Sequence, residues 1–527
     1  MDEKARREFL RLSGVGLAGA VWNPQGAEGQ AAVANAGVYD VKALGATGDG
    51  KTVDTPAINR AIELAAARGG GTVRFPAGNY LSYSIHLRSK VGLYLEPGAT
   101  IVAGDTPSSG VGGYDAVEPK TTWDAYQDFG HNHWHNSLIW GEGLENVSIC
   151  GPGLIWGRGL SKGYGPGPVA EQAGVGNKAI ALKNCCNVVL RDFSILKGGH
   201  FGILATGVDN LTIDNLKIDT DRDGIDLDCC RNVRVSNCSV NSPWDDAICP
   251  KSSFALGYAR ATENVTITNC YVTGIYELGT LLDGTFRRFD PATKAFGTGR
   301  IKFGTESNGG FKNIAVSNCV FEGCYGLALE SVDGALLEDI AITNITMRDV
   351  LVPVFMRLGS RMRGPAGVPV GALRRVFISN LVCSNTDAGV SSIVSGIPGY
   401  PIEDIQINDV YIQQRGGGTA EQAALQPPEI ESKYPEPTMF GATPSQGFFV
   451  RHVRNLSMSN VEVSAVEKDL RPAFVLEDVR EADFFRVRAP GATHGSTFAM
   501  KKVEGFSVHG SPNVPDTQLE GAEEKRL

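Results

Sequence analysis

The chain has 527 residues, of which 42% are hydrophobic and 20% are charged, values typical of a soluble globular protein. Its formal net charge of −9 argues against a general nucleic-acid or acidic-membrane binder, which needs a basic face. An acidic polymer stays open as a substrate, because a local basic cleft can hold one. The 65 glycines and the recurrent short β-type runs predict many turns and short strands.

The first 36 residues are typical of an export signal. Arg6 and Arg7 precede the apolar run LSGVGLAGAVW, as in a twin-arginine signal, and residues 34–36 (ANA) form a candidate cleavage site. The apolar run is too short for a stable membrane span. The sequence therefore predicts export through the twin-arginine machinery to the periplasm or the medium, with no membrane association afterwards.

A single short helix is predicted at the start of the mature chain. Thr55 is the expected N-cap and Pro56 the first helical residue, with Ile58, Ile62 and Leu64 on the apolar side. Strand-like pieces follow directly. A helix followed by strands suits a cap over the open end of a β-solenoid, where it hides the edge of the first coil.

A seven-residue unit then recurs along the chain. It begins with a polar residue and continues with alternating apolar positions, as in NLTIDNL from Asn210 and NVRVSNC from Asn232. The starts of the first three copies are separated by a spacing typical of one solenoid coil. The units start at Asn187, Asn210, Asn232, Asn264, Asn313, Asp339, Arg375, Asp404 and Asn455.

The last two positions of this unit predict two stacked rows. The seventh position is always apolar, so its three cysteines, Cys238, Cys270 and Cys319, are interpreted as buried thiols, with metal ligands or disulfides as alternatives. The states of the vicinal pairs Cys185–Cys186 and Cys229–Cys230 stay open. The sixth position predicts an amide ladder formed by Asn215, Asn237, Asn269, Asn318, Asn344, Asn380 and Asn460.

These rows predict an all-β protein, a right-handed parallel β-helix of roughly ten coils over residues 37–510. A β-sandwich is the alternative, but sandwiches show no in-register ladder that repeats once per coil. Residues 511–527 form a polar C-terminal tail that we expect to be disordered.

Three aspartates stand out within the repeat. Asp223 follows Asn210 at the same spacing at which Asp245 follows Asn232, so the two are expected at the same position on consecutive coils, with Asp246 beside them. Crowded like charges raise one another's pKa, so one carboxyl can stay protonated as a general acid. Asx turns are one alternative. A calcium site is another, because further acids lie nearby at Asp219, Asp221, Asp226 and Asp228.

The strings DRDGIDLD and WDDAICPKS, together with the predicted solenoid, resemble glycoside hydrolase family 28, the polygalacturonases of the pectin-lyase-like fold. The resemblance covers roughly residues 38–480. It implies an inverting hydrolase in which Asp245 protonates the glycosidic oxygen while Asp223 and Asp246 activate a water. Inversion needs an acid and a base about 6.5–9.5 Å apart, which leaves room for that water.

Two departures from the family pattern concern substrate binding. The family's Gly-His-Gly motif falls on residues 299–306 (GRIKFGTE), where Arg300 replaces the histidine. Its Arg-Ile-Lys motif, which holds the substrate carboxylate, is expected one coil later, where Ala328 and Glu330 stand instead. These changes predict a neutral sugar, or a uronate held in another orientation by Arg300 and Lys302. Lys251 is a further candidate, with a solvated surface lysine as its alternative.

Two other segments are expected to wall the cleft. The insertion at residues 272–298 is expected to close one end and favour action on chain ends. His131, His133, Trp134 and His135 suggest a second wall in which Trp134 stacks on a sugar. A His-x-His-x-His metal site is the alternative for this string.

The sequence thus predicts a monomeric, exported glycoside hydrolase that acts on a pectic or related plant polysaccharide without a cofactor or a metal. A polysaccharide lyase on the same fold is one alternative, and a non-catalytic carbohydrate-binding solenoid is another. A nucleic-acid partner is not expected.

Overall fold

The computed structural model describes residues 37–109, 111–128, 130–163, 171–294, 296–489 and 496–527. The predicted export signal at residues 1–36 lies outside this part of the chain. Residues 37–527 form one unit. Within the described ranges, no helix combines the length and the apolar character needed to cross a bilayer.

One α-helix and many short strands make up the described part of the chain. The helix α1 spans Thr55–Ala67, and short 3₁₀ turns occur at Asp124–Tyr126, Gln422–Ala424 and Pro437–Phe440. In chain order the strands are β1 (Val38–Asp40), β2 (Asp49–Val53), β3 (Gly71–Phe75), β4 (Gly78–Ser82), β5 (Ile85–His86), β6 (Val91–Leu95), β7 (Ala99–Ala103), β8 (Ile139–Glu142), β9 (Glu145–Cys150), β10 (Leu154–Trp156), β11 (Lys178–Lys183), β12 (Cys186–Arg191), β13 (Ser194–Leu196), β14 (Phe201–Thr206), β15 (Asp209–Asp214), β16 (Lys217–Asp219), β17 (Asp223–Asp228), β18 (Arg231–Ser236), β19 (Ser239–Asn241), β20 (Ile248–Lys251), β21 (Thr262–Thr268), β22 (Tyr271–Thr273), β23 (Ile301–Phe303), β24 (Phe311–Glu322), β25 (Gly326–Ser331), β26 (Leu336–Arg348), β27 (Val352–Leu358), β28 (Ala372–Thr386), β29 (Ser392–Ser395), β30 (Ile402–Gln414), β31 (Phe448–Ala465), β32 (Phe474–Phe485), β33 (Phe498–His509) and β34 (Thr517–Arg526).

The strands stack into three parallel sheets, and each coil contributes to all three in turn over most of the chain. The first sheet runs through β1, β3, β6, β9, β12, β15, β18, β21, β24, β26, β28, β30, β31, β32 and β33. The second runs through β2, β4, β7, β10, β13, β16, β19, β22 and β24, and the third through β5, β8, β11, β14, β17, β20, β23, β25, β27, β29 and β31. The predicted parallel β-helix is confirmed. Coils without the seven-residue unit extend the predicted stack at both ends.

The interior of the solenoid consists of apolar rows, because alternate residues of every strand point inward. In the first sheet, Leu211, Val233, Val265, Ile314 and Ile340 lie in register on successive strands. All five are buried. Burying an aliphatic side chain of this size stabilises the fold by roughly 1.5–3 kcal/mol. Repetition of such rows explains how a long single core is built from short strands.

The corner after each first-sheet strand depends on a residue in the left-handed conformation. Asn237 has φ +57°, its Nδ2 donates to Asp214 Oδ1 at 2.8 Å, and its Oδ1 accepts from Asn269 Nδ2 at 3.3 Å. Asparagine tolerates this backbone region better than most residues, and its amide can bond to the coil above and below. The predicted amide ladder is therefore also the corner of the coil. The same conformation occurs at Asp192, Asn215, Asn237, Asn269, Asn318, Asn344, Asn380, Asp409 and Asn460.

The N-terminal helix packs on the first coils as expected, although two details differ. Asp54 is the N-cap, and the Thr55 hydroxyl accepts a hydrogen bond from the Tyr83 backbone instead. Leu64 is 36% exposed, so its expected place on the apolar side is wrong. The buried side of α1 is instead made of Ala57, Ile58, Ala61, Ile62 and Ala65, because small residues let the helix approach the sheet closely.

The C-terminal tail is ordered, so the prediction of disorder is wrong. Residues Thr517–Arg526 form β34, which pairs antiparallel with β33 at the end of the first sheet. Most of its side chains are exposed or half-buried, which explains its polar sequence. Backbone pairing and the packing of Leu519 against the core hold this strand. The strand covers the open edge of the last coil.

The cysteines are thiols, and all of them lie in the described ranges. All eleven are free, and nine of them are buried. The prediction for Cys238, Cys270 and Cys319 is confirmed: each is at most 2% exposed and lies in the core row. Neither vicinal pair forms a disulfide.

A substitution pair at Asn237 tests the left-handed corner. We expect Asn237→Ala to lower the free energy of unfolding by about 1–2 kcal/mol more than Asn237→Gly, because alanine pays the left-handed penalty and glycine does not. Both variants lose the same side-chain hydrogen bonds, so glycine is the matched control. Urea unfolding measures the difference, and equal losses in the two variants would contradict the proposed role of this conformation.

Candidate active site

The three aspartates singled out by the repeat meet at the turns between the second and third sheets. Asp223 is the first residue of β17, and Asp245 and Asp246 lie in the turn between β19 and β20. They border a cavity of about 210 Å³. The residues that line it are Asp128, His131, Gly163, His200, Arg222, Asp223, Asp245, Asp246, Lys251 and Tyr434.

The register corrects which two aspartates are equivalent. In the second sheet Asp219 pairs with Asn241, and in the third sheet Asp226 pairs with Cys249. The offset in residue number is larger by one in the third sheet, so the turn before β20 holds one extra residue. Asp246, and not Asp245, therefore lies beside Asp223. The Asp246 backbone N–H donates to Asp223 Oδ1 at 3.1 Å.

The three carboxylates are close together. One oxygen of each lies within 4.8 Å of the others. The Oδ1 atoms of Asp223 and Asp245 accept from the same Asp246 N–H, both at 3.1 Å. These nearest-oxygen distances are shorter than the carboxyl separation of about 6.5–9.5 Å typical of inverting glycosidases. Inversion thus stays a prediction from the resemblance.

Two buried cations hold Asp246 in its ionised form. Arg300 Nε donates to Asp246 Oδ1 at 2.7 Å, and Lys302 Nζ lies 3.2 Å from Oδ2. Burial of the carboxyl opposes ionisation, but Lys302 and Arg300 outweigh it and hold the pKa of Asp246 well below its usual range. Asp246 is therefore a carboxylate at neutral pH, although the same two cations make it a weaker base than an ordinary aspartate.

Asp223 has the opposite environment. Its side chain is buried, and burial followed by the neighbouring Asp226 and Asp245 raises its pKa well above the usual range. Lys251 opposes this shift, but its Nζ lies 3.9 Å from Asp223 Oδ2. Adjacent carboxyls with opposite pKa shifts are a common arrangement for acid–base chemistry.

A second layer of charge lies behind Asp223. Lys251 Nζ lies 3.5 Å from Asp226 Oδ2 and 3.8 Å from Glu306 Oε2, and the imidazole of His131 contacts the Glu306 carboxylate. Burial raises the pKa of Asp226 to about 7, although Lys251 and His131 oppose the shift. Burial also disfavours the Glu306 carboxylate, but His131 and Lys251 hold its pKa well below the usual range. Lys251 is therefore an internal counter-ion and not a surface lysine.

The binding residues predicted beside the acids are buried against one another. Lys302 Nζ lies 3.9 Å from Glu330 Oε2, and burial raises the pKa of Glu330 to about 7 against the influence of Lys302 and Arg300. Arg300 also forms an ion pair with Glu436. Sequence reasoning places Arg300, Lys302 and Glu330 near Asp246. It does not predict that both cations form ion pairs with carboxylates of the protein itself.

His133 and Trp134 are placed away from the cavity lining, which corrects the expected sugar-stacking wall. Trp134 is 3% exposed, its Nε1 donates to Thr206 Oγ1 at 3.0 Å, and the Lys183 ammonium lies 4.3 Å from the ring centroid. His133 is 5% exposed, and burial followed by the charge of Lys178 lowers its pKa. Both side chains are therefore buried within the protein, and neither is placed to stack on a sugar at this cavity.

The two metal alternatives from the sequence have different outcomes among the described residues. His131 contacts Glu306, whereas His135 Nε2 lies 3.0 Å from Glu142 Oε2, so the three histidines diverge. Calcium stays an alternative at the three crowded aspartates, because one carboxylate oxygen of each of Asp223, Asp245 and Asp246 lies within 4.8 Å of the others. The four further acids of this alternative each also have a protein partner. These partners are Asn241 for Asp219, Lys162 for Asp221, Lys251 for Asp226 and Ser253 for Asp228.

Several residues at or near the cavity were not predicted from the sequence. Arg222, next to Asp223 in the chain, forms an ion pair with Asp245, and its position beside the motif is a signal that could have found it. Tyr434 comes from a segment far along the chain, and no sequence signal links it to the acids. Trp244, immediately before Asp245, is 43% exposed and packs edge-on against Phe289 at 5.4 Å between ring centroids.

Two family models match the chain. Residues 38–147 match the model described as "Rhamnogalacturonase A/epimerase, pectate lyase-like", and residues 171–335 match "Right handed beta helix region". A curated relative, a probable polygalacturonase of Vitis vinifera, is 23% identical over 454 residues, which cover 80% of this chain and 84% of the relative. The chain is polygalacturonase-like. The resemblance drawn from its acidic motifs is confirmed.

Solved structures agree with this polygalacturonase-like fold. The family 28 exopolygalacturonase of Yersinia enterocolitica has a TM-score of 0.61 at 18% identity, covering 84% of this chain and 78% of that one. The hyperthermoactive exopolygalacturonase of Thermotoga maritima has a TM-score of 0.57 at 18% identity, covering 93% and 95%. At this identity the likeness concerns the fold alone.

The pH dependence of the melting temperature tests whether Asp226 has a raised pKa in this polygalacturonase-like chain. Its folded pKa of about 7 is above the ordinary value of 3.8, so the folded state binds more protons between these pH values. Stability from this group is therefore full at low pH and is lost as pH rises toward 7. We expect the melting temperature of Asp226→Asn to fall less between pH 5 and pH 8 than that of the wild type.

The control for this test is Asp283→Asn, which removes an exposed carboxyl. It is expected to keep the wild-type pH dependence. Calorimetry measures the melting temperatures of the wild type and the two variants at both pH values. A wild-type pH dependence in Asp226→Asn would show that Asp226 does not titrate in this range.

Proposed function

We propose that the protein is a glycoside hydrolase that cleaves a pectic or related plant polysaccharide at the cavity of Asp223, Asp245 and Asp246. The observation that carries this proposal is the pair of neighbouring carboxyls with opposite pKa shifts, Asp223 raised and Asp246 lowered. Glycosidic hydrolysis requires one protonated and one ionised carboxyl at the same bond. The polygalacturonase-like sequence and fold support the substrate class.

Each carboxyl has a role in this proposal. Asp223 holds the proton in the free protein, and Asp245, at the more exposed position, delivers it to the glycosidic oxygen. One carboxylate oxygen of Asp223 and one of Asp245 lie within 4.8 Å of each other, a separation that one water can bridge to pass the proton. Asp246 remains ionised beside Arg300 and Lys302 and accepts a proton from the attacking water. The roles of Asp245 and Asp246 follow the resemblance, and inversion is part of the proposal. Asp223, which the resemblance makes a second base, is assigned here as the proton store because its pKa is raised.

Substitution of Asp245 is the direct test. We expect Asp245→Asn to reduce hydrolysis of pectic oligosaccharides by at least about 10³-fold, because the amide cannot donate a proton to the leaving oxygen. Circular dichroism and the melting temperature check that the variant is folded, and Asp283→Asn is the matched control on an exposed acid. Near-wild-type activity in Asp245→Asn would exclude the proposed acid.

The first product distinguishes the remaining alternatives. NMR of the first anomer formed reports inversion or retention. Unsaturated products that absorb in the ultraviolet would favour a lyase. A lyase is the second candidate because residues 38–147 match a family model described as pectate lyase-like. Binding of oligosaccharide without turnover in the wild type would favour a non-catalytic solenoid.

We also propose that the protein acts on chain ends. The insertion after β22 supplies Phe289, which packs on Trp244, and Lys294, whose Nζ lies 4.6 Å from the Trp244 ring centroid. The insertion thus supports a half-exposed aromatic side chain directly beside Asp245. Aromatic rings of this kind stack on the apolar faces of sugars. Two of the solved structures with this fold are exopolygalacturonases, which is consistent with this mode.

Trp244 provides a separate test of the sugar position beside Asp245. We expect Trp244→Ala to raise KM for oligosaccharides roughly 3–10-fold with a smaller change in kcat, because an aromatic contact contributes about 0.5–1.5 kcal/mol. Trp244→Phe should lie between alanine and the wild type. Phe485→Ala, at a similarly exposed aromatic on β32, is the control. An unchanged KM in Trp244→Ala would remove Trp244 from the substrate site.

Export remains a proposal that rests on the twin-arginine string and the apolar run after it. A fusion of residues 1–36 to a folded reporter, compared with the same fusion carrying lysines in place of Arg6 and Arg7, tests it. We expect export of the first fusion alone.

A further inference from the structure

The cation nearest to Asp246 is already bound on its other side by a carboxylate. Arg300 is 1% exposed, and its Nη1 and Nη2 donate to the two oxygens of Glu436 at 3.0 and 2.7 Å. Its Nε donates to Asp246. Burial disfavours the cation, but Glu436 and then Asp246 raise the pKa of Arg300 well above its ordinary range. A bidentate arginine–carboxylate pair is among the strongest hydrogen-bonded arrangements in proteins.

The neighbouring cation is covered by the same stretch of chain. Lys302 Nζ donates to the Tyr434 hydroxyl at 3.0 Å and lies 3.2 Å from Asp246 Oδ2. Tyr434 also lines the cavity, and Glu436 follows it closely in the chain. The segment between β30 and β31 therefore supplies partners to both cations.

Access to this cluster is uneven. The side chains of Arg300 and Lys302 are 1% and 2% exposed, whereas that of Glu436 is 28% exposed. The solvent-facing member of the Arg300 pair is thus the carboxylate. A ligand carboxylate that approaches Arg300 must displace Glu436 or share the guanidinium with it, and two adjacent carboxylates repel each other. A sugar hydroxyl meets no such obstacle, because it can donate a hydrogen bond to Glu436.

The net charge around Arg300 and Lys302 also disfavours a ligand carboxylate at this position. The two cations face the carboxyls of Asp246, Glu436 and Glu330. Within this group of described side chains, no excess positive charge remains to attract an anion. A uronate carboxylate entering here loses hydration without gaining a counter-ion, which is unfavourable in a buried site.

We propose that Glu436 is a specificity-determining residue: by neutralising Arg300, it makes the sugar position beside Asp246 select a neutral, hydroxyl-bearing or esterified sugar over a free uronate. This inference rests on the proposed hydrolase function and names the substrate class of the same site. It also explains why the chain can keep two buried cations near the acids while binding a neutral group.

The test uses one pectic oligosaccharide in two forms, the free acid and its methyl ester, which differ only in the charge of the sugar. We expect the wild type to hydrolyse the ester with a kcat/KM at least about tenfold higher than the free acid. Glu436→Gln removes the counter-charge while keeping the side chain's size, so it should shift this ratio at least about tenfold toward the free acid. Glu436→Asp keeps the charge and should retain the wild-type preference.

Glu421→Gln, on an exposed residue of the same segment, changes net charge equally without contacting Arg300 and should leave the ratio unchanged. A wild type that prefers the free acid, or a Glu436→Gln variant with an unchanged ratio, would overturn the role of Glu436. If Glu436→Gln does not fold, the wild-type preference and the Glu436→Asp ratio still decide the matter.

A binding measurement separates this inference from the proposed hydrolase function. Isothermal titration of catalytically silent Asp245→Asn with galacturonate and with methyl galacturonate requires no turnover. Tighter binding of the ester supports the neutral site even where no hydrolysis is found, and tighter binding of the free acid contradicts it. Hydrolysis with an unaltered ratio in Glu436→Gln would contradict the role of Glu436 alone.

Discussion

In-register stacking of coils is the constraint on which the rest of the structure depends. Each parallel strand bonds to the coil before and after it, so every coil must bend at the same place. A row of asparagine and aspartate residues in the left-handed conformation makes one of these corners, with their side chains bonded along the stack. Equivalent side chains on neighbouring coils are then held about one strand spacing apart, roughly 4.8 Å. This geometry brings Asp223 and Asp246 together although they belong to different coils.

Stacking alone would place like charges side by side at a high energetic cost. Nearby lysine and arginine side chains offset part of the repulsion between these carboxyls. Arg300 and Lys302 lie against Asp246, whereas Lys251 lies at longer distances from Asp223, Asp226 and Glu306. The same chemical group therefore has a lowered pKa at Asp246 and a raised pKa at Asp223. The difference between the two pKa values comes from the placement of Lys251 at the end of β20 and of Arg300 and Lys302 at β23, on neighbouring coils of the third sheet.

Much of the fold could be predicted from local pattern, while details that depend on one residue could not. The alternation of apolar residues and the repeated asparagine predict the solenoid, the amide ladder and the buried thiols. The equivalence of Asp223 with Asp245 is wrong by one position, because a single residue added in a turn leaves the hydrophobic period unchanged. Residue type alone puts Trp134 in the cleft, but the direction of a side chain in an irregular segment depends on packing.

The sequence by itself determined the coil, its amide ladder, its interior and the presence of three crowded carboxyls, because these follow from periodicity and from residue type. Only the tertiary structure decided which partner each charge has. Glu436 reaches Arg300 across 136 residues, and Tyr434 reaches Lys302 across 132. Such contacts depend on how a long connection folds back over the solenoid. The physical reason is that a local pattern specifies which face a residue occupies, whereas pairing of buried charges requires the positions of all neighbouring segments at once.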